Sequence, residues 1–160
     1  ASTFEDAPPA LVNELVALLD AVPFDLLLHP VEMRLNPAFG EASSLVGGAD
    51  ADLITGDMLV DFKTTRSATV LDDTLDQLFG YFLLARRAGL PPIRRVGVYY
   101  SRYGYLRAGT TDGWTTRPEF TATEEWFFER AGRAFGHSQR GVTIGPLPFT
   151  VSGSPGINIT

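Results

Sequence analysis

Residues 47–65, GGADADLITGDMLVDFKTT, constrain the fold of this chain more than any other stretch. Gly56-Asp57 is a two-residue turn signal between two β-prone runs, residues 50–55 and 58–63. Around that turn Thr55 pairs with Met58, Ile54 with Leu59, Leu53 with Val60, Asp52 with Asp61, Ala51 with Phe62, and Asp50 with Lys63. Residues paired across two strands share a face. One face is then Ala51, Leu53, Thr55, Met58, Val60 and Phe62, nearly all apolar. The other is Asp50, Asp52, Ile54, Leu59, Asp61 and Lys63, with its charges at the end far from the turn. A three-residue loop would flip the parity and place Asp50 and Asp52 beside Val60 and Phe62. The amphipathic register is therefore the expected one.

This register gathers three carboxylates and one amine. Two like charges 4 Å apart repel by about 4 kcal/mol at an effective dielectric of ~20. Lys63 offsets part of that. A hard divalent cation such as Mg²⁺ or Mn²⁺ would offset the rest, because Mg²⁺ is held by one or two carboxylates plus phosphate oxygens. Lys63 is the single Lys beside 12 Arg, so an amine rather than a guanidinium stands here. Carboxylates, a divalent metal and a lysine are the equipment of metal-assisted phosphodiester hydrolysis.

The rest of the chain reads as one mixed domain. Residues 10–22 carry Leu11, Leu15, Leu18 and Leu19 at helical spacing and stop before Pro23. Residues 31–36 alternate as a strand, and residues 37–47 read as a loop. Residues 71–87 form a second helix with a stripe of Leu71, Leu75, Leu78, Phe79 and Phe82. Residues 96–100 are a strand, with 105–108 pairing back around Gly104. Residues 121–135 form a third helix, with Glu124-Glu125 suited to its start. The expected divisions are a loose segment 1–9, a domain over 10–140, and a Gly/Pro-rich arm over 141–160.

Composition excludes several classes. There is no Cys, hence no disulfide, thiol catalysis or iron–sulfur cluster. No apolar run reaches the ~18 residues of a membrane span, and no signal peptide is visible, so a cytoplasmic setting is expected. The net charge of −6 argues against nucleic-acid binding by bulk charge alone. Residues 64–107, however, carry a net of +4.

Asp50 or Asp52, then Asp61-x-Lys63 across a hairpin, resembles the PD-(D/E)xK nuclease superfamily. The order helix–strand–strand–strand–helix–strand is similar to that family's core. Gln77 and Tyr81 (QLFGY) resemble the Q-x-x-x-Y feature of its RecB-like exonuclease branch, and their spacing puts them on one helix face. The likeness covers roughly residues 10–108. The Pro of the family name is replaced by Ala49 or Ala51, and Asp61 stands where many members have Glu. The resemblance offers His29 and Glu14 as counterparts of the upstream His and the first-helix acid.

The expectation is thus an α/β (α+β) restriction-endonuclease-like core, a central mixed sheet in the order α-β-β-β-α-β with flanking helices. Its expected activity is Mg²⁺- or Mn²⁺-dependent hydrolysis of DNA, exonucleolytic as in the RecB-like branch, with RNA as an alternative substrate. Asp52 and Asp61 hold the ion, Asp50 assists, and Glu32, His29 and Glu14 are further candidate ligands. Lys63 positions water and stabilises transition-state charge, while Gln77 and Tyr81 steady the phosphate or the metal-site hydrogen bonds. Arg66, Arg86, Arg87, Arg94 and Arg95 are candidates for backbone contacts. Tyr99, Tyr100, Tyr103 and Tyr105 could stack on bases or simply pack. A catalytically silent nuclease-fold module that binds nucleic acid or a protein partner is the alternative, as is an acidic interaction domain. A protein partner or a second copy could supply basic surface.

Overall fold

The structure is a computed structural model that describes residues 7–29, 32–66, 69 and 72–135. The 141–160 arm and His137 lie outside the described residues, as does most of the 1–9 segment. The elements run α1 (Pro9–Asp20), α2 (Phe24–Leu27), β1 (Met33–Leu35), α3 (Glu41–Leu45), β2 (Leu53–Thr55), β3 (Met58–Lys63), α4 (Asp72–Arg87), β4 (Arg95–Tyr100), β5 (Tyr105–Thr110), α5 (Asp112–Thr115) and α6 (Phe120–Phe135). The five strands form one mixed sheet in the order β1-β2-β3-β4-β5. Only β3 and β4 pair in parallel, and α4 makes the crossover between them. Among the described residues no helix is long and apolar enough to cross a membrane.

The hairpin forms in the expected register from the turn as far as Leu53–Val60, with Ile54 on Leu59 and Thr55 on Met58. Both faces of the central strands are buried, while β1 and parts of β5 stay exposed. The face of Leu53, Met58, Val60 and Tyr99 packs on Leu27, Val22, Leu106 and Ala108. The face of Ile54, Leu59, Val96 and Val98 carries the larger core, beneath Leu78, Phe79, Phe82 and Leu83 of α4. The charged end of the hairpin thus sits at the rim of the main core. Both readings hold together because this face is apolar near the turn and polar only at its far end.

One short helix arises where a loop was expected, and another, α5, in a stretch with no expected element. α3 lies inside residues 37–47 and starts after Gly40, whose φ of 56° is left-handed. The Ser43 hydroxyl ties the segment down, accepting from the Phe39 N–H and donating to the Ala49 carbonyl. α5 seats Trp114 in the core, edge-on to Phe79 at 5.1 Å.

α1 forms as its periodicity predicts, yet none of its residues is buried. Leu11, Leu15 and Leu19 remain exposed. Its C-terminal end meets the turn between β4 and β5. Gly104 there has φ 57°, and a Cβ on it would lie 2.5 Å from the Ala21 carbonyl oxygen. Only glycine fits that contact.

Candidate active site

Asp61 and Lys63 are two residues apart on β3 and so project to the same side of the sheet. That side lies under α4. Toward the turn, α4 supplies Leu and Phe; at the Lys63 end it supplies Gln77 and Tyr81, both half-buried. Lys63 Nζ lies 2.8 Å from Asp61 Oδ2 and donates to Gln77 Oε1 at 2.8 Å. Gln77 Nε2 donates to the Tyr81 hydroxyl at 2.9 Å. The Tyr81 ring packs on Phe39, centroids 5.8 Å apart. A continuous polar chain therefore runs from the strand to the helix.

Asp61 is 4% exposed. Burial pushes its carboxyl above the ordinary aspartate value, the Lys63 ammonium pulls it back, and the charge of Asp52 pushes it up again. Its Oδ2 is buried, with the Lys63 ammonium 2.8 Å away as its partner. With one ammonium against two neighbouring carboxylates, Asp52 and Asp61, the group keeps a net negative charge that a further cation would neutralise.

Asp52 stands beside it by a route that differs from the expected pairing. The β2–β3 ladder stops at Leu53–Val60. Beyond it Asp52 Oδ2 accepts from the Phe62 N–H at 2.6 Å, and the Asp52 carbonyl accepts from the Asn36 N–H at 2.9 Å. The side chain takes the place of a ladder bond and the hairpin opens there. Asp50 consequently does not lie across from Lys63. It is exposed and forms an isolated antiparallel bridge with Ala38.

The other expected ligands are placed elsewhere. Met33 pairs with Thr55, so the residues just before β1 lie beside the hairpin turn. The Glu32 carbonyl accepts from the Gly56 N–H at 2.8 Å, and the Glu32 N–H donates to His29 Nδ1 at 3.1 Å. The His29 ring lies 3.0 Å from where a Cβ on Gly56 would be. From Met58 to Asp61 alone the strand rises about 10 Å, so neither residue joins Asp61. Glu14 is at the Lys63 end but pairs with Arg102 at 3.2 Å. Among the described residues no three His, Asp or Glu side chains group to hold an ion. The donor set on this face is Asp52 and Asp61. It fits a Mg²⁺-like ion, which keeps several waters and takes one or two carboxylates.

The arginines divide between two ends of the sheet. Arg95 pairs with Asp57 at 2.8 Å, and the Arg94 N–H donates to the Asp57 carbonyl. Arg86 pairs with Glu124 and lies over the Phe82 and Phe120 rings, while Arg87 lies over Phe128. These four are at the turn end, because the parallel β3–β4 pairing starts β4 beside Met58. Arg66 is at the Lys63 end, its carbonyl accepting from the Tyr103 hydroxyl. Arg107 was not among the expected contacts, yet it lies on the Asp61 face. Parity around Gly104 was the signal that could have found it.

Gln77→Ala removes the acceptor that orients Lys63, and Tyr81→Phe removes the acceptor that orients Gln77. If the site is that of a metal-dependent nuclease, each is expected to slow cleavage at least tenfold, about 1.4 kcal/mol of transition-state stabilisation, with little change in melting temperature. Cleavage by both variants at the parent rate would reduce the two residues to packing.

Comparison of the chain with protein-family models, with curated proteins and with solved structures gives no match.

Proposed function

We propose that the protein is a Mg²⁺- or Mn²⁺-dependent nuclease that hydrolyses DNA phosphodiester bonds, with a core similar to the RecB-like branch of the PD-(D/E)xK superfamily. The observation that carries this reading is the buried Asp61 carboxylate beside Asp52, with Lys63 Nζ at 2.8 Å. The strand order and the α4 crossover support the resemblance. Asp52 and Asp61 would hold the ion, which when bound supplies Lewis-acid polarisation of a phosphoryl oxygen. Asp61 and Gln77 fix the Lys63 ammonium at the edge of that pair. From there it donates to water or to the charge that builds on phosphate oxygens during attack. Tyr81 fixes the Gln77 amide, so the donor is held before substrate arrives.

The test is incubation of the protein with end-labelled linear and circular DNA in Mg²⁺ or Mn²⁺, with an EDTA control. Ion-dependent degradation of the linear form alone is expected. Intact DNA in every arm sinks the nuclease reading. That two carboxylates rather than three group among the described residues favours one alternative, a silent module that binds nucleic acid or a protein. Calorimetric Mn²⁺ binding without cleavage would identify it.

A further inference from the structure

Strand register extends the Asp61 face across the sheet. Asp61 pairs with Val98 and Val98 with Arg107; Lys63 pairs with Tyr100 and Tyr100 with Tyr105. Paired residues share a face. Arg107 and Tyr105 therefore lie on the side that carries the carboxylates, two strands away, about 10 Å from Asp61 and Lys63. Leu106 and Ala108 point the other way, into the second core. Tyr100 lies between the two rows. Its buried phenol, pushed up by desolvation, senses the charges of Arg107, Lys63 and Asp61. Its hydroxyl has no hydrogen-bond partner among the described residues.

Arg107 is exposed on the edge strand, and among the described residues no carboxylate pairs with it. Arg86, Arg95 and Arg102 by contrast each have a carboxylate. Tyr105 is 50% exposed, an aromatic ring available at the rim. An exposed guanidinium and an open ring on the face of a buried carboxylate–lysine centre suit a phosphate and its base.

We propose that Arg107 and Tyr105 form a second subsite on the Asp61 face, holding a neighbouring phosphate and base of a single nucleic-acid strand that crosses β3, β4 and β5. This rests on the nuclease reading for the identity of the first subsite. It directs the substrate across the sheet rather than along the arginines of α4.

The test is fluorescence anisotropy of a labelled single-stranded 12-mer, without divalent ion, over a range of salt concentrations. Both residues are exposed, so their alanine variants should fold, which circular dichroism checks. Arg107→Ala is expected to lower the salt slope by about 0.7, one phosphate contact on a single strand. Tyr105→Ala is expected to weaken binding about tenfold with the slope unchanged. Arg133→Ala, on α6 and paired with Glu129, should leave the slope as in the parent. An unchanged slope in Arg107→Ala overturns the subsite, and so does an equal drop in Arg133→Ala, which would mean bulk charge. The expected slopes in a parent that never cleaves DNA would uphold the subsite while refuting the nuclease reading.

Discussion

Asp61→Asn is expected to make the metal-free protein more stable and the Mn²⁺-loaded protein inert. Asp61 is 4% exposed, and its charged form bears the cost of burial. Asn keeps the shape and removes that charge. Lys63 is 27% exposed and keeps Gln77 as acceptor, so it tolerates the loss. The gain at neutral pH should be roughly 1 kcal/mol, in the range found when a functional site is relieved, or about 3 °C in melting temperature for a chain of this length. The pH dependence follows from the direction of the shift. Burial raises the folded pKa above 3.8. The stabilisation from holding that proton is complete below 3.8 and is lost as pH rises through the raised value. The advantage of Asn should therefore be small in acid and full at neutral pH. Mn²⁺ should reverse the order: at a hundredfold excess over its dissociation constant it stabilises the parent by about 2.7 kcal/mol and the variant not at all. Equal stabilisation of both proteins by Mn²⁺ would show that the ion does not bind through Asp61.

Lys63→Met should act in the opposite direction on stability and in the same direction on turnover. Cleavage is expected to fall at least a hundredfold, the scale for losing one donor to transition-state charge. At neutral pH the fold should lose about 2 kcal/mol, less than the 3–5 kcal/mol typical of a fully buried pair, because Lys63 is 27% exposed. The deficit arises from Asp61, left buried without its cation. Loss of the Lys63 charge drives the Asp61 pKa further up, so the deficit should narrow as the solution is acidified. Mn²⁺ should narrow it too, by supplying a replacement cation. Lys63→Arg should recover part of the stability and little of the turnover, since a planar, permanently charged group does not reproduce the amine. A Lys63→Met protein that cleaves at the parent rate would rule out the proposed role of the amine.

The hairpin was legible because its information is local. A period-two pattern and Gly56-Asp57 leave one register that separates the apolar face from the charges, and the strands pair that way from Thr55–Met58 to Leu53–Val60. The same holds for α4: Gln77 and Tyr81 are four residues apart, so one helix face was certain once the helix was. The helical periodicity of α1 was equally legible, and α1 formed. What its apolar stripe meets is a tertiary matter, and the fold leaves that stripe outside the core.

What the chain's order of residues determined by itself is the identity of the Asp61–Lys63 pair, the turn that sets its register, and the helix that faces it. What only the tertiary structure decided depends on partners distant in sequence. The Phe62 amide captures the Asp52 carboxylate and ends the ladder, which moves Asp50 away from Lys63. The antiparallel β1 carries Glu32 and His29 to the turn end. The parallel pairing of β3 with β4 sends Arg94 and Arg95 to that same end and brings Tyr100, Tyr105 and Arg107 into the row beside Lys63 and Asp61. Periodicity sets which way a side chain points along its own strand; which strand lies next to it, and in which direction, is set by burial of the central strands between α4 and the second core.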